Sequence, residues 1–327
     1  MKKKTKNLVL LASVLIILLI GYMAIDLFAN ADTEEIKEDT TFDITEFTTE
    51  EISFYSYKNP EYEIGFYVTE EGYTHYKEEA FPVNIENVLT QLKLLGDLKA
   101  IQKITSTEKA EYGLDTPQIT IYVTLSDGTI RNFAIGDKAL FKEAYYLLDE
   151  ENNQIYFVDA DIYDEFSCAW SDLVQKEEFP KITTDQIIEV IIEKDGEVMT
   201  QICYEEELES PWEITTSEGT AAGNTSAILN ALEAFHSYNV HDVLEYNCND
   251  FSVYGLETPE TVVTVHYMAL EEGEKETLQF EFGAVTEGGN YYTRINGSSY
   301  VYEMSSYYVE KLCEFDIEEL KLQEVEQ

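Results

Sequence analysis

Basic residues are scarce in this chain. Only 21 Lys and Arg stand against 65 Asp and Glu, a formal charge of −44 over 327 residues. Phosphate contacts need Lys and Arg, so this shortage excludes a nucleic-acid binder. The 4 cysteines are too few for a disulfide-dense small scaffold or a cysteine-rich zinc array. The histidines His75, His236, His241 and His266 are scattered. His236 and His241 would fall on different faces of a continued helix, so no metal or cofactor set is expected. A Gly-x-Ser-x-Gly elbow, a Walker loop and a His-Glu-x-x-His helix are all missing, and Ser126-Asp127-Gly128 reads as a turn. No catalytic residue is expected.

Long apolar runs are missing too, with one exception at the N-terminus. Lys2, Lys3, Lys4 and Lys6 precede Leu8 to Ile25, a stretch without a charge. As a helix it spans about 27 Å, close to the ~30 Å hydrocarbon core. The expected order is a cytoplasmic basic tail at 1–7, a transmembrane anchor at 8–28 and an acidic linker at 29–45. The lysines before the span leave the bulk of the chain outside the cell. A cleaved secretory signal is the alternative, since Ala29-Asn30-Ala31 fits the small-x-small pattern. Against it, the apolar run exceeds an ordinary signal core of ~7–15 residues.

What the chain does have is apolar content and repetition. At 44% hydrophobic and 13% aromatic it can bury a core despite its charge. Tyr112-Gly113-Leu114-Asp115-Thr116-Pro117 recurs as Tyr254-Gly255-Leu256-Glu257-Thr258-Pro259. Upstream, Val88, Leu89, Leu92 and Leu95 match Ile228, Leu229, Leu232 and Phe235, each set on one helix face after an N-cap asparagine, Asn84 or Asn224. Thr48 to Ile52 pairs with Thr183 to Ile187. Downstream, Ile119, Ile121 and Val123 align with Thr261, Val263 and Val265, Ile135-Gly136 with Phe282-Gly283, and Tyr145-Tyr146 with Tyr291-Tyr292. The offset is nearly constant, which defines a tandem duplication of about 125–140 residues.

The fold class read from this pattern is α+β: two similar, mainly antiparallel-sheet domains at 46–170 and 181–313, each with one or two covering helices. Residues 171–180 would link them. An acidic tail at 314–327 would be frayed or disordered. In each copy an opening strand pair precedes the helix. Strands are expected at Gln118 to Leu125, Tyr145 to Leu148 and Gln154 to Val158. Asp127-Gly128, Asp195-Gly196 and Asn296-Gly297 suit tight hairpins.

The repeated Tyr-Gly-Leu element reads first as structure. Gly113 and Gly255 suit positive φ, Tyr112, Leu114, Tyr254 and Leu256 can pin the turn on the core, and Pro117 and Pro259 sit where a strand begins. A ligand contact is the lesser reading. Cys203 and Cys248 are one candidate disulfide among the pairings open to four cysteines, with reduced buried thiols the alternative. Asp149 to Asn153 and Asn247 to Asp250 are oxygen-rich but lack EF-hand spacing, and read as solvated turns.

The Tyr-Gly-Leu-Asp/Glu-x-Pro element, with its preceding helix and following strands, resembles the bacterial domain-of-unknown-function family 4340, twice over residues 46–313. Trp212 fits an aromatic position of that family, which Tyr73 or Tyr76 would fill in the first copy. The resemblance implies a membrane-anchored protein found near ABC-2-type exporters and gliding-motility-type auxiliary components. It supplies no activity, catalytic residue or ligand. The expected function is therefore a non-enzymatic extracytoplasmic accessory protein whose partner is a membrane transporter subunit. The alternative is an envelope-binding module for wall glycan or a cationic peptide, drawing on the 24 tyrosines and the acidic charge. A two-carboxylate hydrolase has no motif to support it.

Overall fold

The computed structural model describes residues 41–323, apart from 107, 141, 208 and 270–272. The expected basic tail at 1–7, the expected anchor at 8–28, most of the expected linker at 29–45 and the last residues of the acidic tail lie outside these. Among the described residues no helix is long and apolar enough to cross a membrane. The described residues fall into two compact units, one running up to Glu70 with Thr90–Ser167, the other comprising Glu71–Leu89 and the chain from Cys168 onwards.

The first repeat contains β1 (Phe42–Asp43), β2 (Ile52–Lys58), β3 (Glu63–Thr69), β4 (Gly72–His75), α1 (Ile85–Gly96), β5 (Lys99–Ala100), β6 (Gln102–Ile104), β7 (Ile119–Leu125), β8 (Ile130–Lys138), β9 (Ala144–Asp149), β10 (Gln154–Asp159) and α2 (Asp161–Phe166). The second contains β11 (Ile187–Lys194), β12 (Glu197–Tyr204), β13 (Trp212–Thr216), β14 (Gly219–Ala222), α3 (Thr225–Leu232), α4 (Ala234–Ser237), β15 (Val243–Glu245), β16 (Thr261–Met268), β17 (Lys275–Val285), β18 (Tyr291–Ile295), β19 (Val301–Met304), α5 (Ser306–Cys313) and α6 (Ile317–Leu320).

Strand order establishes the duplication. One sheet runs β4-β3-β2-β7-β8-β9-β10-β6 and the other β14-β13-β12-β11-β16-β17-β18-β19-β15. The two orders correspond strand for strand once β14 is set aside. The register agrees as well: Tyr57 lies opposite Ile121 as Ile192 lies opposite Val263. Four strands, rather than the expected pair, precede the first helix of each repeat.

Alternation explains the core. Tyr55 and Tyr57 of β2 and Ile119, Ile121 and Val123 of β7 are buried, and the residues between them face the other way. On the helices, Val88, Leu92 and Leu95 are buried, as are their matches Ile228, Leu232 and Phe235. Each such side chain contributes about 2 kcal/mol on burial. A local device is also shared. Thr48 N–H donates to Glu51 Oε2 at 2.8 Å, and Thr183 N–H donates to Gln186 Oε1 at 2.9 Å, holding the chain as it enters β2 and β11.

The cores differ in one polar feature. Fully buried Gln91 accepts from Tyr55 Oη at 2.7 Å and donates to Tyr57 Oη at 3.2 Å and to the Glu165 carbonyl at 3.2 Å. The second repeat has Ala231, Val190 and Ile192 at the matching positions.

The structure changes several expectations. The stretch read as a frayed end at 314–327 is folded through Leu320. Asp316 caps α6 by accepting from Glu318 and Glu319 N–H, Leu320 is buried, and its carbonyl accepts from Asn224 N–H at 2.7 Å. The last linker residues also belong to the fold, since Ile44 and Thr45 are buried and Ile44 N–H donates to the Leu98 carbonyl. Asp195-Gly196 and Asn296-Gly297 both take positive φ as expected, but at Asp127-Gly128 only the glycine does, which gives a wider hairpin.

Candidate functional site

The repeated Tyr-Gly-Leu element has the same geometry in both copies. A 3₁₀ turn, Lys109–Tyr112 or Phe251–Tyr254, ends on a left-handed glycine, Gly113 at φ 67° and Gly255 at φ 69°. Leu114 then packs with Ala134, Leu148 and Ile155, and Leu256 with Cys248 and Val301. The Tyr112 ring lies 4.6 Å from that of Tyr146, and Tyr254 lies 5.1 Å from Tyr292. Pro117 and Pro259 each stand two residues before a strand, where no ladder donor is lost. Gly136 and Gly283 let the turn approach, because any side chain there would strike the Tyr112 or Tyr254 carbonyl. Tyr254 Oη donates to Glu245 Oε2 at 2.7 Å, which helps push the phenol up to about 12. The element is a strut that covers one end of the sheet face opposite the helices.

The rest of that face is open, and here the copies diverge. One row across the first sheet reads Tyr67, Phe54, Thr124, Ile130. The matching row of the second reads Cys203, Glu189, His266, Thr277. A neighbouring row reads Gly65, Ser56, Tyr122, Asn132 in the first and Gln201, Ile191, Thr264, Gln279 in the second. A shared scaffold therefore carries an aromatic face in one copy and a polar, acidic face in the other.

The polar row brings a thiol, a carboxylate and an imidazole onto adjacent strands. Glu189 accepts from Gln201 Nε2 at 2.6 Å and lies 3.7 Å from His266 Nε2, while His266 Nδ1 hydrogen-bonds Thr277 Oγ1 at 2.9 Å. The order defeats nucleophilic catalysis. His266 is separated from Cys203 by the Glu189 strand, so it cannot take the thiol proton. Burial, then the charges of Glu189, Glu205 and Glu213, push the Cys203 thiol up, which opposes thiolate formation. Among the described residues no group of three or more His, Cys, Asp or Glu is placed to hold a metal ion.

The candidate Cys203–Cys248 disulfide is not made. The strand order gives the reason. Cys203 lies on β12, whereas Cys248 follows β15 at the far edge of the same sheet. At about 4.8 Å per strand the two are far beyond the ~7 Å Cα limit for a bridge.

Other residues singled out by sequence are structural. His75 lies against the Phe81 ring at 4.8 Å, and burial lowers its pKa. His241 N–H donates to the Glu303 carbonyl. The 149–153 stretch is not simply a solvated turn, because Asp149 is fully buried and accepts from Arg131 Nη2 at 2.9 Å and Asn152 Nδ2 at 2.7 Å. Trp212 is buried at the start of β13, and Tyr73 sits on β4, the matching strand. The divergent open faces escaped the sequence reading. They appear only when register shows which residues share a row.

The fold defines a class, a duplicated α+β module with one helix-covered and one partly open sheet face. The chain belongs to the family described as domain of unknown function (DUF4340), whose model matches residues 74–250 and 212–325. The two matches begin in β4 and β13, which are equivalent strands. No curated protein and no solved structure matches the chain.

Proposed function

We propose that this is a non-enzymatic, membrane-anchored extracytoplasmic accessory protein, an auxiliary subunit of an ABC-type exporter. The observation that carries the reading is the pair of open sheet faces, kept on one scaffold while their side chains diverged. Display of two different surfaces on a duplicated frame suits a protein that holds other molecules. The thiol, carboxylate and imidazole of the polar face are ordered in a way that opposes nucleophilic chemistry, which supports the same reading. The lysines before Leu8 and the uncharged run to Ile25 support an anchor with the sheets outside. The exporter link rests on the resemblance of the repeated element to proteins found beside such transporters.

The test is co-purification. The full chain, tagged and extracted from its own membranes in mild detergent, should retain a permease polypeptide identified by mass spectrometry. Recovery of the free chain alone, after crosslinking as well as without it, contradicts the exporter reading.

A further inference from the structure

The aromatic face of the first repeat carries a hollow beside Tyr122. On β2, Phe54, Ser56 and Lys58 face away from the core, opposite buried Tyr55 and Tyr57. Phe54 stands between Tyr67 and Tyr122, with ring centroids at 5.0 and 6.2 Å. Tyr67 is 49% and Tyr122 37% exposed, and their rings, tilted by 46° and 66° to that of Phe54, are open to solvent. Next to them runs the row Gly65, Ser56, Tyr122, Asn132. A hollow of about 350 Å³ opens there, within the size range of ligand pockets.

Five polar side chains of this hollow are uncommitted. Among the described residues, the side chains of Ser56, Lys58, Thr120, Asn132 and Glu150 make no hydrogen bond or ion pair within the protein. Hydroxyl, amide, amine and carboxylate therefore surround a tyrosine wall, ready to donate and accept. The matching positions of the second repeat lack this combination, with Ile191, Glu193, Val262 and Thr264 in place of Ser56, Lys58, Thr120 and Tyr122.

We propose that this face is a binding site for a neutral, equatorially linked pyranose chain. Such a chain is a flat ribbon. Its C–H faces lie on aromatic rings, and its hydroxyls project at the edges, where the uncommitted side chains stand. A peptide fits less well for want of main-chain pairing. The strands beneath the site, β2, β3, β7 and β8, pair with one another, so no free strand edge offers main-chain pairing. The site does not depend on the exporter reading.

The experiment titrates the full chain in detergent with cellotetraose and with tetra-N-acetylchitotetraose, both neutral, followed by saturation-transfer NMR and calorimetry. Saturable binding of at least one sugar is expected. Tyr122→Ala should weaken it about tenfold or more, and Tyr122→Phe should keep most of it. Thr264→Ala, at the matching position of the second repeat, should leave it unchanged. Asn132→Ala, at the rim, should weaken binding several-fold and serves if Tyr122→Ala fails to fold. Permease co-purification should survive each of these replacements. The proposal is overturned if neither sugar binds saturably, or if a folded Tyr122→Ala or Asn132→Ala chain binds like the parent. It is also overturned if tetralysine displaces the sugar and binds the face more tightly.

Discussion

Arg131 and Asp149 form an ion pair of 2.9 Å inside the first repeat, at positions where the second repeat has Leu278 and Ile295. Arg131 also lies over the Phe133 ring at 5.5 Å, and Asp149 is fully buried. Leu278 and Ile295 are fully buried as well. On the opposite face of the same strands the relation reverses. The first repeat buries Ala134 and Leu148, whereas the second pairs Glu281 with Arg294 at 2.6 Å. Each copy thus places an arginine–carboxylate pair across an equivalent strand pair, but on opposite sides, and Arg131 also meets Glu151 at 2.9 Å.

This relation supplies its own control. Asp149→Ala leaves a buried guanidinium with less compensation and should cost about 3–5 kcal/mol. The double replacement Arg131→Leu with Asp149→Ile copies the second repeat and should recover most of that loss. Chemical denaturation of the purified chain checks both. A double variant as unstable as Asp149→Ala would show that the two cores are not interchangeable.

The glycines facing the strut should be intolerant. Gly136→Ala or Gly283→Ala drives a methyl group into the Tyr112 or Tyr254 carbonyl, and the backbone must shift to admit it. A loss of about 2–4 kcal/mol is expected for each. Gly128→Ala, at a hairpin with open space around it, should cost less, from its positive φ alone. Thermal unfolding of the three variants orders them, and equal losses would remove the strut from the account.

The thiols should be reduced and slow. Burial pushes Cys313 up to about 12, and burial with three nearby carboxylates raises Cys203. Alkylation of the native chain in mildly alkaline buffer should therefore lag behind a small-molecule thiol at both positions. In denaturant without reductant all four cysteines should react. A Cys203–Cys248 crosslinked peptide by mass spectrometry would contradict the strand order described above.

Glu281 should leave a signature in the pH dependence of stability. Burial raises its pKa, and the Arg294 guanidinium opposes that rise only in part. The folded chain therefore holds this proton more tightly than the unfolded chain. Its contribution is present below the ordinary carboxylate value and is lost as pH rises from that value through the raised one. Glu281→Gln should remove this downward slope, read as the difference between the two stability–pH curves. An unchanged slope would mean that Arg294 fully offsets the burial.

Much of the fold was legible in the sequence because its signals are local. The six-residue echo, the helix spacing of Val88, Leu92 and Leu95, and the alternation along Ile119 to Val123 each follow from side-chain period. Gly113 and Gly255 could be read as left-handed because a Tyr-Gly-Leu-x-x-Pro string leaves little else for them to do. Pairings that depend on strand order were not legible. Nothing near Cys203 or Cys248 in sequence reveals that most of a sheet separates them. Asp149 looked like one more acid in a polar turn, since its arginine lies on the neighbouring strand. The fold of Asp316 to Leu320 was hidden by its charge, because one buried leucine and one capping aspartate outweigh the surrounding glutamates. The aromatic face was hidden for the same reason as the disulfide error. Tyr67, Phe54 and Tyr122 are far apart in sequence and adjacent only through register.

The most direct test concerns which side of the membrane the duplicated sheets occupy. Alkaline phosphatase and a fluorescent protein that matures only in the cytoplasm can each be fused after the last residue of the full chain. The account predicts an active phosphatase and a dark fluorescent fusion, with both fusions remaining in the membrane fraction. A bright fluorescent fusion with inactive phosphatase would place the sheets in the cytoplasm and contradict the extracytoplasmic accessory role.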